Sequence, residues 1–316
     1  MKKTFLICIL SVLWFSGYAV ESTVVSPPIK IVAAENFYGE LAQEIGGNAV
    51  KVTSIISNPD ADPHLFTTSV ATNKAIASAQ IIIYNGADYD SWMEQMLKSV
   101  DNKKVSVINV ADLMHIKSGS NPHLWYKPET FPTLAKVLAS QMISVEGEGV
   151  SSTDQNTQNE NLRNKHSKNK IQAQIRKNLE QFLNQNLDVR NKVALLKAKY
   201  AGTKVTATEP VFGYMADAMG LNMQGLDFQW KIMNNTDPSP KMLAAYESLI
   251  TSHVVKILFY NNQVTDPVTK NILTLAKKNN IPVVGVTETM PLQTKINPWL
   301  VEEISRTENA LQSSQN

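Results

Sequence analysis

The chain has 316 residues, 43% of them hydrophobic and 18% charged, with a formal net charge of +2. That length points to about two domains, because single cores stop growing near about 250–300 residues. The charge excludes nucleic-acid binding through a basic face: residues 1–19 hold two lysines and no acid, so the remainder is formally neutral.

Residues 1–19 read as a secretory signal peptide. Lys2 and Lys3 give a positive start, an apolar run extends from Phe5 to Phe15, and Ser16-Gly17-Tyr18-Ala19 offers a small-residue cleavage region. The run is too short to span a bilayer. It carries the sole cysteine, Cys8, too early for a lipidated residue at a processing site, so cleavage leaves neither disulfide nor thiolate chemistry. An exported protein without disulfides fits a bacterial periplasm.

Residues 28–145 read as an N-terminal α/β lobe. Short β-branched runs at 31–34, 51–56, 80–84 and 104–109 predict buried strands. Helical spacing of apolar residues separates them at 37–45, 70–78 and 92–100, and a further helix is expected over 128–143. Such alternation implies a parallel sheet covered on both faces. Residues 146–170 are expected to form a mobile polar loop, since 151–170 contains a single apolar residue, Leu162.

From 171 to 200, Ile171, Ile175, Leu179, Phe182, Val189, Val193 and Leu196 keep spacings near three, four and seven. This predicts a linking helix about 45 Å long. A C-terminal α/β lobe follows over 201–316, with strands at 204–208, 254–260 and 282–286 and helices at 210–219, 240–251, 267–278 and 298–311. Prolines near the helix starts support these boundaries, because a missing N–H is harmless in a first turn. The fold class is α/β: two parallel-sheet lobes joined by one long interdomain helix.

Ligands in open α/β sheets bind beyond the carboxyl ends of the strands. His64 follows the second predicted strand, in Asp62-Pro63-His64, and His123 follows the fourth, in Asn121-Pro122-His123-Leu124-Trp125. In each, a proline stiffens the backbone that presents the imidazole. Glu209 directly follows the strand at 204–208, and Glu288 lies just after 282–286. Two imidazoles and two carboxylates suit a divalent ion between the lobes, Zn²⁺ or Mn²⁺ and less readily Fe²⁺. The absence of cysteine beyond residue 19 and of a methionine cluster disfavours copper(I), and the histidines disfavour calcium and magnesium. Plain alternatives stand beside this reading: loop histidines, and glutamates that favour a helix N-terminus. Trp125 reads as core packing, His115 and His166 as solvated, and His253 as structural.

Four segments carry a wider likeness: Asp62-Pro63-His64-Leu65-Phe66, Asn85-Gly86 with Trp92 nearby, Asn121-Pro122-His123-Leu124-Trp125, and Phe212-Gly213-Tyr214 followed by Gly220-Leu221. Through them the chain resembles, over about 30–302, the periplasmic solute-binding proteins of zinc and manganese ABC importers, the TroA-like zinc-uptake family. The resemblance implies two lobes bridged by one long helix, and one buried metal ion delivered to membrane permease subunits by a monomer that is not an enzyme. It assigns ligand roles to His64 and His123. The third ligand of that family is commonly histidine, or glutamate in some manganese or iron binders, and its position holds Glu209. The fourth is commonly aspartate, and Glu288 is the nearest match.

Two other readings use the same residues. A zinc hydrolase would use three protein ligands, a water and the fourth carboxylate as general base, but no His-Glu-x-x-His element accompanies it. A binder of a metal chelate or small organic ligand would need an apolar or arginine-lined cleft, and arginine is scarce near these motifs.

Overall fold

The computed structural model describes residues 27–58, 66–98, 100, 105–148, 158–263 and 266–314. The signal peptide expected at 1–19 and the turn carrying His64 lie outside them. The first lobe runs β1 (Ile29–Glu35), α1 (Asn36–Gly46), β2 (Val50–Ile56), α2 (Val70–Ala77), β3 (Ile81–Tyr84), α3 (Ser91–Leu97), β4 (Ser106–Asn109), α4 (Val110–Leu113) and α5 (Thr130–Glu148). Helix α6 (Gln158–Tyr200) connects it to the second lobe. There follow β5 (Lys204–Ala207), α7 (Gly213–Ala218), β6 (Asn222–Gln224), α8 (Leu226–Met233), α9 (Pro240–Thr251), β7 (Leu258–Asn261), α10 (Pro267–Lys278), β8 (Val283–Val286) and α11 (Ile296–Ser313).

Each lobe holds a four-stranded sheet, ordered β2-β1-β3-β4 and β6-β5-β7-β8, with every pairing parallel. The α/β class, the two parallel sheets and the long connecting helix agree with the sequence expectation. In this order the chain adds its third strand on the opposite side of the first. A crevice therefore opens at the carboxyl ends between β1 and β3, and again between β5 and β7. Local sequence explains the elements. Ile81, Ile82 and Ile83 are wholly buried, as a strand covered on both faces requires. Asp266 accepts from Val268 N and Thr269 N and precedes Pro267, which fixes the start of α10.

Two features differ from expectation. The segment read as a loop over 146–170 is helical to Glu148 and again from Gln158. Low apolar content denies a segment a place in the core, but it does not prevent helix propagation from a turn already nucleated and docked at 171–200. The polar, three-residue β6 and the short α8 escaped sequence reading: β6 has no apolar run, and Leu226, Phe228, Trp230 and Ile232 of α8 alternate at a strand's period instead of a helix's.

One core is continuous between the lobes, with Phe37, Trp125, Tyr126, Trp299, Phe212 and Phe259 in ring-to-ring contact from 4.8 to 6.2 Å. Separate clusters fill the far side of each sheet. Helix α6 packs against α1, α5, α11 and α7, burying Ile175, Phe182, Val189 and Leu196. Asn178 Nδ2 donates to Ile45 O on one lobe, and Asn186 Nδ2 to Asn297 Oδ1 on the other.

Glu303, on α11, is buried beside Arg306 Nη2 at 3.2 Å, and its pKa is pushed up to about 7 by burial, against the pull of Arg306. A folded-state pKa above the unfolded one stabilises at low pH, and that contribution is lost as pH rises through about 7. Glu303→Gln should therefore lose less stability than the parent between pH 5 and pH 8, read from denaturant midpoints at both. A difference that does not change with pH would exclude titration of Glu303.

Candidate metal centre

Three of the four expected ligand residues come together at the carboxyl ends of the sheets, and all are buried: His123 and Glu288 at 1% exposure and Glu209 at 5%. The fourth, His64, lies outside the described residues. The other histidines, His115, His166 and His253, are exposed.

The direction of His123 is fixed by an asparagine. Asn121 Nδ2 donates to Pro210 O at 2.8 Å, and a carbonyl can only accept, so Asn121 Oδ1 is the atom facing the imidazole. It accepts from His123 Nδ1 at 2.6 Å. The neutral ring therefore carries its hydrogen on Nδ1 and its lone pair on Nε2, which lies 3.8 Å from Glu288 Oε2. Trp125 is fully buried with its ring 5.2 Å from that of His123, as core packing beneath the histidine. Because Pro210 follows Glu209, Asn121 also ties the histidine turn to the opposite lobe. Tyr214 OH adds a second tie, donating to Asn121 O at 2.8 Å.

The two carboxylates share one donor. Asn261 Nδ2, at the end of β7, donates to Glu209 Oε2 at 2.5 Å and to Glu288 Oε1 at 2.7 Å. Tyr89 OH donates to Glu288 Oε2 at 3.1 Å from the first lobe. Burial first, then the charge of Glu288, holds the Tyr89 phenol well above its ordinary pKa, so it remains a donor. The Glu288 loop is latched to the first lobe by Asn36, whose side chain donates to Met290 O at 2.7 Å and accepts from Met290 N at 3.0 Å. Tyr126 OH donates to Thr287 O at 2.9 Å beside it. Among the described residues, no three His, Cys, Asp or Glu side chains close into a metal-binding group; the Asn261 amide joins the two glutamates instead.

On the first lobe, Asn85 and Asp90 are buried. Asn85 Nδ2 donates to Pro122 O at 2.8 Å, just before His123. Sequence reading missed Asn261, Tyr89, Asp90 and Asn36 as site residues. A signal for Asn261 was present: Tyr84-Asn85 and Tyr260-Asn261 both close the third strand of a sheet, as an internal repeat would. The other three carry no spacing that separates them from surface or capping residues.

The family model described as zinc-uptake complex component A, periplasmic, matches residues 31–177 and 158–299. The manganese-binding lipoprotein MntA of Bacillus subtilis is 31% identical over 31% of this chain and 34% of its own length. The zinc-binding protein AdcA of Streptococcus pyogenes is 22% identical over 91% of this chain and 57% of its own length. The chain thus spans from a third to just over half of these relatives. The crystal structure of the Streptococcus pneumoniae AdcAII protein has the same fold, with a TM-score of 0.68 at 20% identity over 91% of this chain and all of that one.

Removing the shared donor should destabilise the chelator-treated protein. Asn261→Ala is expected to lose about 1.5–3 kcal/mol, the usual worth of a hydrogen bond to a charged group. Urea unfolding of the parent and the variant checks this.

Proposed function

The chain belongs to the periplasmic zinc-uptake complex component A family, and from that premise we propose that it captures a divalent transition-metal ion and delivers it to the permease of an ABC importer. The ion, Zn²⁺ or Mn²⁺ and less readily Fe²⁺, is the cargo. Its ligands in this reading are His123, Glu209 and Glu288, with His64 as the fourth.

The observation that supports this most is a buried His123 nitrogen lone pair 3.8 Å from Glu288, which itself shares the Asn261 amide with the buried Glu209 of the same lobe. Two anionic oxygens side by side out of water are unfavourable without a cation or a strong donor. Asn261 and Tyr89 supply donors, and a metal ion competes for the same oxygens with a full double charge. The second shell is the kind that tunes a metal ligand: Nδ1–H of His123 is engaged by Asn121, which presents Nε2. Two imidazoles with two carboxylates suit zinc, manganese or iron, and the mixed donor set is less soft than one of three histidines.

The protein is read as a carrier and not as the zinc hydrolase, since four protein ligands leave no position for a reactive water. It is read as an exported monomer with its leader removed after residue 19. Lobes joined by α6 and by polar ties around the site should release cargo through small lobe shifts and loop rearrangement rather than by wide opening.

Protein purified without added metal should contain about one divalent ion per chain by elemental analysis, and competition among Zn²⁺, Mn²⁺ and Fe²⁺ ranks the cargo. His123→Ala and His64→Ala should each weaken binding by more than about 100-fold, beyond the 10–100-fold typical of outer-shell partners. Affinity should fall below about pH 6, because every ligand must be deprotonated. Full affinity in both histidine variants, or unchanged affinity well below that pH, would reject the site.

A further inference from the structure

The lobes place a glutamate and an asparagine at the same topological point. Counting on by two from the paired Ala33 and Ile83 reaches Glu35 and Asn85; counting on by two from Ala207 and Phe259 reaches Glu209 and Asn261. In the second lobe the asparagine gives its amide to the glutamate. In the first it does not: Asn85 Nδ2 donates to Pro122 O and Gly86 O, and Asn85 Oδ1 accepts from Tyr38 OH at 2.7 Å.

Glu35 is left in an unusual setting. It is 0% exposed, and among the described residues neither of its oxygens accepts a hydrogen bond of normal geometry. It precedes α1 without capping it. The side chain acting on it is a second carboxyl, Asp90, itself 1% exposed. The oxygens of Asp90 are well supplied, Oδ2 accepting from Asn85 N at 2.6 Å and Oδ1 from Gly86 N at 2.8 Å. The nearby phenols give their hydrogens elsewhere, Tyr38 to Asn85 and Tyr89 to Glu288.

Two charges in this position would be doubly unfavourable. Each buried ion costs several kcal/mol of lost hydration, and like charges in contact add to that. One proton held between the carboxyls removes the repulsion and one of the two hydration costs, and it gives the otherwise unpartnered Glu35 a hydrogen bond to Asp90. The two backbone N–H groups favour the charge on Asp90, so the proton belongs on Glu35.

We propose that Glu35 is an un-ionised carboxylic acid at neutral pH whose O–H donates to Asp90, and that this bond makes Glu35 a positioning residue for the turn that presents His123. The path is short. Asp90 grips the backbone of Asn85 and Gly86, and the Asn85 side chain holds the Pro122 carbonyl. Gly86 sits at φ 73°, where a Cβ would come 2.2 Å from Asn109 Oδ1, so this turn has little freedom to adjust. The direction in which the surroundings push each carboxyl agrees with the geometry. Burial and then Asp90 push the Glu35 carboxyl well above the carboxylate range, its own backbone N–H pulling the other way more weakly, while Asp90 rises only to about 6.

The positioning role rests on the metal reading of His123; the protonation of Glu35 does not. The test is infrared spectroscopy of the full chain at pH 7, loaded with Zn²⁺ so that ligand carboxylates are ionised. A band of an un-ionised carboxyl is expected that shifts in D₂O, shifts again with ¹³C-labelled glutamate, and is lost in Glu35→Gln. Should that variant not fold, labelled Glu303→Gln protein still carries the band, free of the other glutamate with a strongly raised pKa. In Zn²⁺ competition, Glu35→Gln, whose amide can still donate to Asp90, should bind within about threefold of the parent, and Glu35→Ala should bind more than about tenfold more weakly. A wild-type spectrum without the band, or a band that survives Glu35→Gln, overturns the protonation. Equal weakening in the two variants overturns the positioning role. If the parent binds none of Zn²⁺, Mn²⁺ and Fe²⁺, the metal reading fails, and the spectrum of the metal-free protein still decides the protonation.

Discussion

One amide group, Asn261 Nδ2, lets Glu209 and Glu288 lie together out of water. Buried carboxylates repel each other and miss their hydration, and a neutral donor shared between them offsets only part of that. The remainder of the second lobe's crevice is arranged around this constraint. Asn261 closes β7, Glu209 lies two residues beyond β5, and Glu288 lies two beyond β8. The sheet order brings these three chain segments to one edge, and a different order of the same strands would separate them.

The first lobe completes what the second cannot. It supplies an imidazole nitrogen, a phenol donor and three backbone or amide ties: Asn36 to Met290, Tyr126 to Thr287 and Asn121 to Pro210. These contacts span the interface within a few residues of the two glutamates, and the aromatic seam lies beneath them. Packing and chemistry are thus supported by the same residues: Trp125 fills the core and backs His123, and Tyr126 belongs to the seam and grips the loop of Glu288. A side chain lost from the seam would disturb the site without touching a ligand.

The α/β alternation, the linking helix and the positions of His123, Glu209 and Glu288 were legible in the sequence. Strand periodicity and the rule that ligands sit beyond strand ends are local, and the sequence states them directly. What was not legible is relational. Nothing in the order Asn-Asn-Gln at the end of β7 says that Asn261 reaches two glutamates at once, because that depends on two crossovers. Asp90 looks like a helix N-cap, yet its oxygens are spent on Asn85 and Gly86 instead. The segment 158–170 misled in the opposite sense: its composition describes what it cannot bury, and its helicity comes from the docked turns that follow.

Helix α6 has 43 residues, about 65 Å of a stiff rod. Asn178 ties it to one lobe and Asn186 to the other, only two turns apart, so most of its length extends away from the pair of ties. Such a rod is a lever: a tilt of about one degree at one end moves the other by about 1 Å for a helix of this rise per residue. An angular change too small to repack either core therefore becomes a displacement of atomic size at the far end of the helix.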